Sequence, residues 1–104
     1  MGYVVTHRLG SMKNNPPLES LAALAAELDA ADDQHFDVSV SDDSGWTLTA
    51  YANGSIVWEN VETDGALRHL PAVARNEVIR MMKAVATGDL AALEREQWQA
   101  GYPR

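Results

Sequence analysis

Apolar and polar residues alternate through the middle of the chain. In Phe36–Ser41 the side chains of Phe36, Val38 and Val40 point one way and those of Asp37, Ser39 and Ser41 the other. That period of two predicts a half-buried strand. Trp46 to Tyr51 alternates in the same way. Ser55 to Val61 does so again, with Ile56 and Trp58 on one face and Val57, Glu59 and Val61 on the other. Asn53-Gly54 lies between these two runs and predicts a two-residue type I′ hairpin, whose central residues both need positive φ. Asp42-Asp43-Ser44-Gly45 and Asp64-Gly65 predict further turns, and Ala66 to Leu70 a short last strand before Pro71. Near the start, Tyr3 to Leu9 is rich in β-branched and aromatic residues and also reads as a strand.

Helical spacing takes over on either side. Gly10 to Pro17 reads as a loop, punctuated by Asn14-Asn15-Pro16-Pro17. Pro17 suits a first helical turn. The helix it opens is expected over about Leu18 to Ala31, with Leu21, Leu24, Ala25 and Leu28 as its core face. Asp32 to His35 turns the chain. A second helix is expected over about Arg75 to Ala86, on the stripe Val78, Ile79, Met81, Met82 and Val85, ended by Gly88 in the left-handed conformation. Asp89 is placed to cap a shorter helix from Leu90 to about Glu96. Trp98 and Tyr102 predict a tail that packs down.

The order is β-α-β-β-β-(β)-α-α, which argues for the α+β class. We expect one domain: an antiparallel β-meander of about four to five strands, the N-terminal one included, with helices packed on one face. The other face is expected to stay partly open and to carry Asp37, Thr47, Thr49, Tyr51 and Glu59.

A chain of 104 residues is one domain's worth and long enough for a modest core. It has no cysteine, which removes disulfides, thiol catalysis and thiolate metal sites. No apolar run reaches the ~20 residues of a membrane span. Met1 to Leu9 lacks the core of a signal peptide, so the expected location is cytoplasmic.

Charge changes the picture most. Between Lys13 and Arg68 there is no lysine or arginine but eleven acids, including Asp32, Asp33, Asp37, Asp42, Asp43 and Glu59. The two flanks hold all eight bases and the other four acids, so a middle of −11 and flanks of +4 give the net −7. Part of the folded surface must therefore be strongly acidic. Such a surface repels nucleic acid and anionic membrane and steers basic partners toward itself.

Candidate chemistry is sparse. The acidic cluster lacks the alternating oxygens, the glycine and the late glutamate of a calcium loop. It reads either as a solvated helix end or as a docking surface for a basic partner. His7, His35 and His69 lack the helical spacing of a metal pair. No nucleophile elbow, phosphate loop or dinucleotide fingerprint is present. We expect no enzymatic activity, no metal and no cofactor. Trp46 and Trp58 flank the hairpin in matching register and are expected close together on one face, either as core or as anchors of an interface.

The chain resembles the small acidic immunity proteins that accompany bacterial polymorphic toxins and contact-dependent inhibition systems. The likeness rests on Asp32-Asp33-x-His35 before a strand, Ser44-Gly45-Trp46, Trp58-Glu59-Asn60, Arg68-His69-Leu70, Gly88-Asp89 and Trp98-x-x-Gly101-Tyr102, a loose ordered pattern over about two-thirds of the chain. It implies a non-enzymatic protein, monomer or homodimer, that binds and neutralises a basic, nuclease-type toxin. The expected contacts are Asp32, Asp33, Asp37, Asp42, Asp43 and Glu59, with Trp46, Tyr51 and Trp58 as anchors. The alternatives are an interaction or adaptor module, a homodimer with an exposed sheet edge, and a small ligand-binding protein or enzyme with a pocket between sheet and helices.

Overall fold

The computed structural model describes residues 2–60 and 67–101. Val61, the Asp64-Gly65 turn, Ala66 and Tyr102 of the sequence reading lie outside them. The elements in chain order are β1 (Tyr3–Thr6), β2 (Met12–Asn14), α1 (Ser20–Ala26), β3 (Asp37–Asp42), β4 (Trp46–Tyr51), β5 (Ile56–Asn60), β6 (Arg68–Leu70), α2 (Arg75–Thr87), α3 (Leu90–Glu94) and β7 (Gln99–Ala100). The strands form one antiparallel sheet in the order β2-β1-β3-β4-β5-β6-β7. This is the expected α+β class, with seven strands in place of four to five.

The helices cover one face. Leu21, Leu24 and Leu28 meet Val78, Met81, Met82, Val85 and Leu93 over Val5, Val38, Val40, Leu48, Ala50, Ile56 and Trp58. All are apolar and nearly all lie at the positions that the two periodicities assign to the core. Burying each large side chain contributes about 1.5–3 kcal/mol.

The two extra strands come from segments without alternation. β2 is short and exposed throughout and folds back on β1 within the expected loop. Asn15, left-handed at φ 51, anchors the return: its N–H donates to the Tyr3 carbonyl and its Oδ1 accepts from the Tyr3 N–H. β7 forms when Trp98 packs against the core and brings Gln99 beside His69.

Several local expectations change. The first helix starts at Ser20 and tightens into a 3-10 turn over Glu27–Ala30, still with Leu28 buried. The Asn53-Gly54 turn is a three-residue loop rather than a type I′ pair. Gly54 N–H donates to Tyr51 O at 3.0 Å, and Gly54 alone takes positive φ, at 92°. The Asn53 side chain is used locally, its Oδ1 accepting from Ser55 N–H and Oγ–H at 2.9 and 2.7 Å. Gly88 ends α2 at φ 78, with Gly88 N–H on Val85 O and Asp89 N–H on Ala84 O, a Schellman closure. Asp89 makes no side-chain cap bond, and α3 stops at Glu94.

Candidate functional site

The charges sort themselves before any site is chosen. Arg75 holds Asp29 at 2.9 Å, Arg80 holds Glu77 at 2.6 Å and Glu96 at 3.0 Å, Arg68 holds Glu94 at 2.7 Å, and Arg8 lies 3.5 Å from Asp32. Four arginines are thus engaged with acids of the helices and of the turns that follow α1. Asp33, Asp37, Asp43 and Glu59 make no ion pair among the described residues. Negative charge is left uncompensated on β3, its flanking turns and β5.

These acids do not form one patch. Asp32, Asp33 and Asp37 precede or begin β3, while Asp42 and Asp43 lie at its far end, roughly 17 Å away at ~3.4 Å per residue. At the first end Asp32 shapes the turn. Its Oδ1 accepts from Gln34 N–H at 2.9 Å and His35 N–H at 2.7 Å, and these donors with the His35 ring hold its carboxyl below the usual range. Asp37 stands opposite Tyr51. Phe36 has left the core face on which its parity placed it. It is 44% exposed and its ring lies 6.1 Å from that of Tyr51. The reason is its position just before the strand, where its carbonyl accepts from Ala52 N–H and pairing with β4 has not yet fixed its side. This end therefore combines two aromatic rings with Asp33 and Asp37.

At the far end the acids serve the fold as well. Asp42 Oδ1 accepts from Ser44 N–H, Ser44 Oγ–H and Trp46 N–H at 2.9–3.0 Å, which closes the β3–β4 turn. Asp43 accepts from Gly2 N–H at 2.7 Å.

The sheet face away from the helices joins the two ends. Val4, Ser41, Thr47 and Glu59 form one cross-strand row, and Thr6, Ser39, Thr49, Val57 and His69 the next. Short hydroxyl side chains line this face, with Ser41 Oγ 3.0 Å from Thr47 Oγ1, but Thr47, Val57 and His69 are buried within it, so its open part is the β1–β3 side with Thr49 and Glu59. Asp37 and Glu59 sit near diagonal corners, roughly 16 Å apart by strand and residue spacing.

The tryptophans belong inside. Trp46 and Trp58 stack at 4.7 Å and 15°, close together as their register implied. Trp58 is fully buried, donates from Nε1 to Glu94 at 3.0 Å and lies 6.4 Å from Trp98. It cannot anchor a surface contact. Trp46 packs on the core as well. Of the three expected anchors, Tyr51 is on the helix-free face, and Phe36 joins it.

One further group of polar residues gathers at the β2 edge. His7 Nδ1 lies 2.6 Å from Glu27 Oε2, and Arg8 N–H donates to Glu27 Oε1 at 3.0 Å. Partial burial opposes ionisation of Glu27, but these donors outweigh it and keep its carboxyl below the usual range. The ionised carboxylate makes Nδ1 the protonated donor. His7 Nε2 is then the buried side-chain polar atom without a partner among the described residues. Twenty residues separate this pair, and no spacing motif announces it.

Among the described residues, no group of three histidine or acidic side chains is placed to hold a metal ion. No described helix is long and apolar enough to cross a membrane. No family model matches the chain, and neither a curated protein nor a solved structure shows significant similarity to it.

Proposed function

We propose that the protein is a non-enzymatic inhibitor of the immunity type, which binds a basic, nuclease-like toxin through the helix-free face and its acidic ends. The observation that carries this reading is the sorting of charge. Arg8, Arg68, Arg75 and Arg80 are tied to acids of the helices and turns, while Asp33, Asp37 and Glu59 make no ion pair among the described residues and flank a hydroxyl-lined sheet face with Phe36 and Tyr51 at one end. An enzyme site for polyanions carries the opposite field, so the two surfaces attract at long range and association is steered. Interface energy concentrates on aromatic anchors ringed by polar groups, which is the chemistry of the Phe36–Tyr51 end.

The test is charge reversal. Asp33→Lys, Asp37→Lys and Glu59→Lys together lower affinity for the product of the neighbouring gene by at least tenfold, while the unfolding midpoint changes little, since none of the three makes an ion pair among the described residues. Unchanged affinity would remove this face from the interface. The same reversal at Asp42 does not serve as a test, because its carboxylate holds a turn.

A further inference from the structure

We infer that Asn53 is a self-modification site, at which the Gly54 backbone nitrogen attacks the side-chain amide and water converts it to aspartate and isoaspartate. The chain has five asparagines, and Asn53 alone precedes a glycine. It lies exposed in the loop between β4 and β5. Glycine has no side chain to obstruct ring closure on its own nitrogen. The space beside Gly54 is open as well. A Cβ there would stand 3.9 Å from the nearest atom beyond its chain neighbours, Val73 N.

The loop also activates the amide. Asn53 Oδ1 accepts from Ser55 N–H at 2.9 Å and from Ser55 Oγ–H at 2.7 Å. Both donors meet the oxygen that gains negative charge when Cγ is attacked, which is the arrangement of an oxyanion hole. Nδ2, the leaving nitrogen, makes no hydrogen bond with the described residues. In the reaction the Gly54 nitrogen bonds to Cγ, the Cγ–Nδ2 bond breaks, and the Gly54 proton departs with Nδ2 as ammonia. Water then opens the cyclic imide at either carbonyl. Each event leaves a carboxylate in place of a neutral amide, so the acidic chain gains one more negative charge near Tyr51. One contact restrains the step: Gly54 N–H donates to Tyr51 O at 3.0 Å and must let go before attack. A loop bond of this kind opens locally at far less cost than global unfolding.

The other asparagines lack this combination. Asn15 precedes Pro16, whose nitrogen has no proton to lose. Asn14 precedes Asn15, whose N–H is held by Tyr3 O at 2.8 Å. Asn60 is buried and precedes a β-branched residue, and Asn76 lies in the first turn of α2.

The experiment incubates the whole folded protein in neutral buffer and follows each asparagine by peptide mapping with mass spectrometry. Asn53 is expected to convert many-fold faster than Asn14, Asn60 or Asn76 and to give both isomers, with a matching acidic species on ion exchange. Ser55→Ala removes the Oγ–H donor and is expected to slow conversion several-fold in the folded state, while parent and variant convert alike in urea. Conversion at Asn53 no faster than at the other asparagines would overturn the inference. So would a folded Ser55→Ala chain that converts as fast as the parent or faster, since the donors would then restrain the amide rather than activate it. None of these outcomes bears on the acidic face as an interface.

Discussion

Glu94 ties together three parts of the molecule. Its carboxylate takes both guanidinium N–H groups of Arg68, at 2.7 and 2.9 Å, and the indole N–H of fully buried Trp58 at 3.0 Å. Arg68 does most to hold its carboxyl below the usual range, with partial burial opposing and Trp58 assisting. Removing the acceptor leaves a buried indole N–H unsatisfied, so Glu94→Ala is expected to cost about 1–3 kcal/mol in urea unfolding. Glu94→Gln, which retains an acceptor oxygen, costs less; equal losses would show that the Trp58 bond contributes nothing. No feature of the sequence links Glu94 to Trp58 or His7 to Glu27, because each pair meets only when distant elements pack. Phe36 is a related case. Its alternation with Val38 and Val40 is real, but a residue outside the ladder is not bound by the ladder's parity.

Elements were most legible where period and punctuation agree. The bounds of β4 and the Gly88 stop of α2 follow from alternation and from the one residue suited to positive φ. Gly88→Ala therefore strains the Schellman closure and is expected to cost about 1–2 kcal/mol, the left-handed penalty of a Cβ. A loss indistinguishable from zero would show that the helix end re-forms in another way. β2 and β7 were not legible, since an exposed three-residue edge and a two-residue edge carry neither a buried face nor an alternating run. Their existence depends on what β1 and Trp98 bring to them. The Asn53-Gly54 loop is legible as a turn but not by type, since the same dipeptide also fits a three-residue loop with only Gly54 at positive φ.

At the scale of the whole molecule, charge sets how stability depends on pH. Glu27, Asp29, Asp32 and Glu94 all titrate below their usual range in the folded state, each held by N–H donors or an arginine. A depressed carboxyl pKa contributes stability that is present above the unfolded value, near pH 4, and is lost as pH falls through the folded value. The thermal midpoint is therefore expected to hold above about pH 5 and to fall below about pH 4. A midpoint that rises on acidification would mean that self-repulsion among the unpaired acids outweighs these pairs. The segregation of charge was legible in the sequence, but its division between the two ends of β3, and the engagement of four arginines elsewhere, were not.

The most direct measurement is the association rate between this protein and the product of the neighbouring gene as salt is raised. Between about 0.1 and 1 M salt the Debye length shrinks from about 10 to about 3 Å, which removes steering but leaves short-range packing intact. The proposed acidic face predicts a 1:1 complex whose association slows steeply over that range. A rate independent of salt, or no complex at either end of it, would contradict the proposed role.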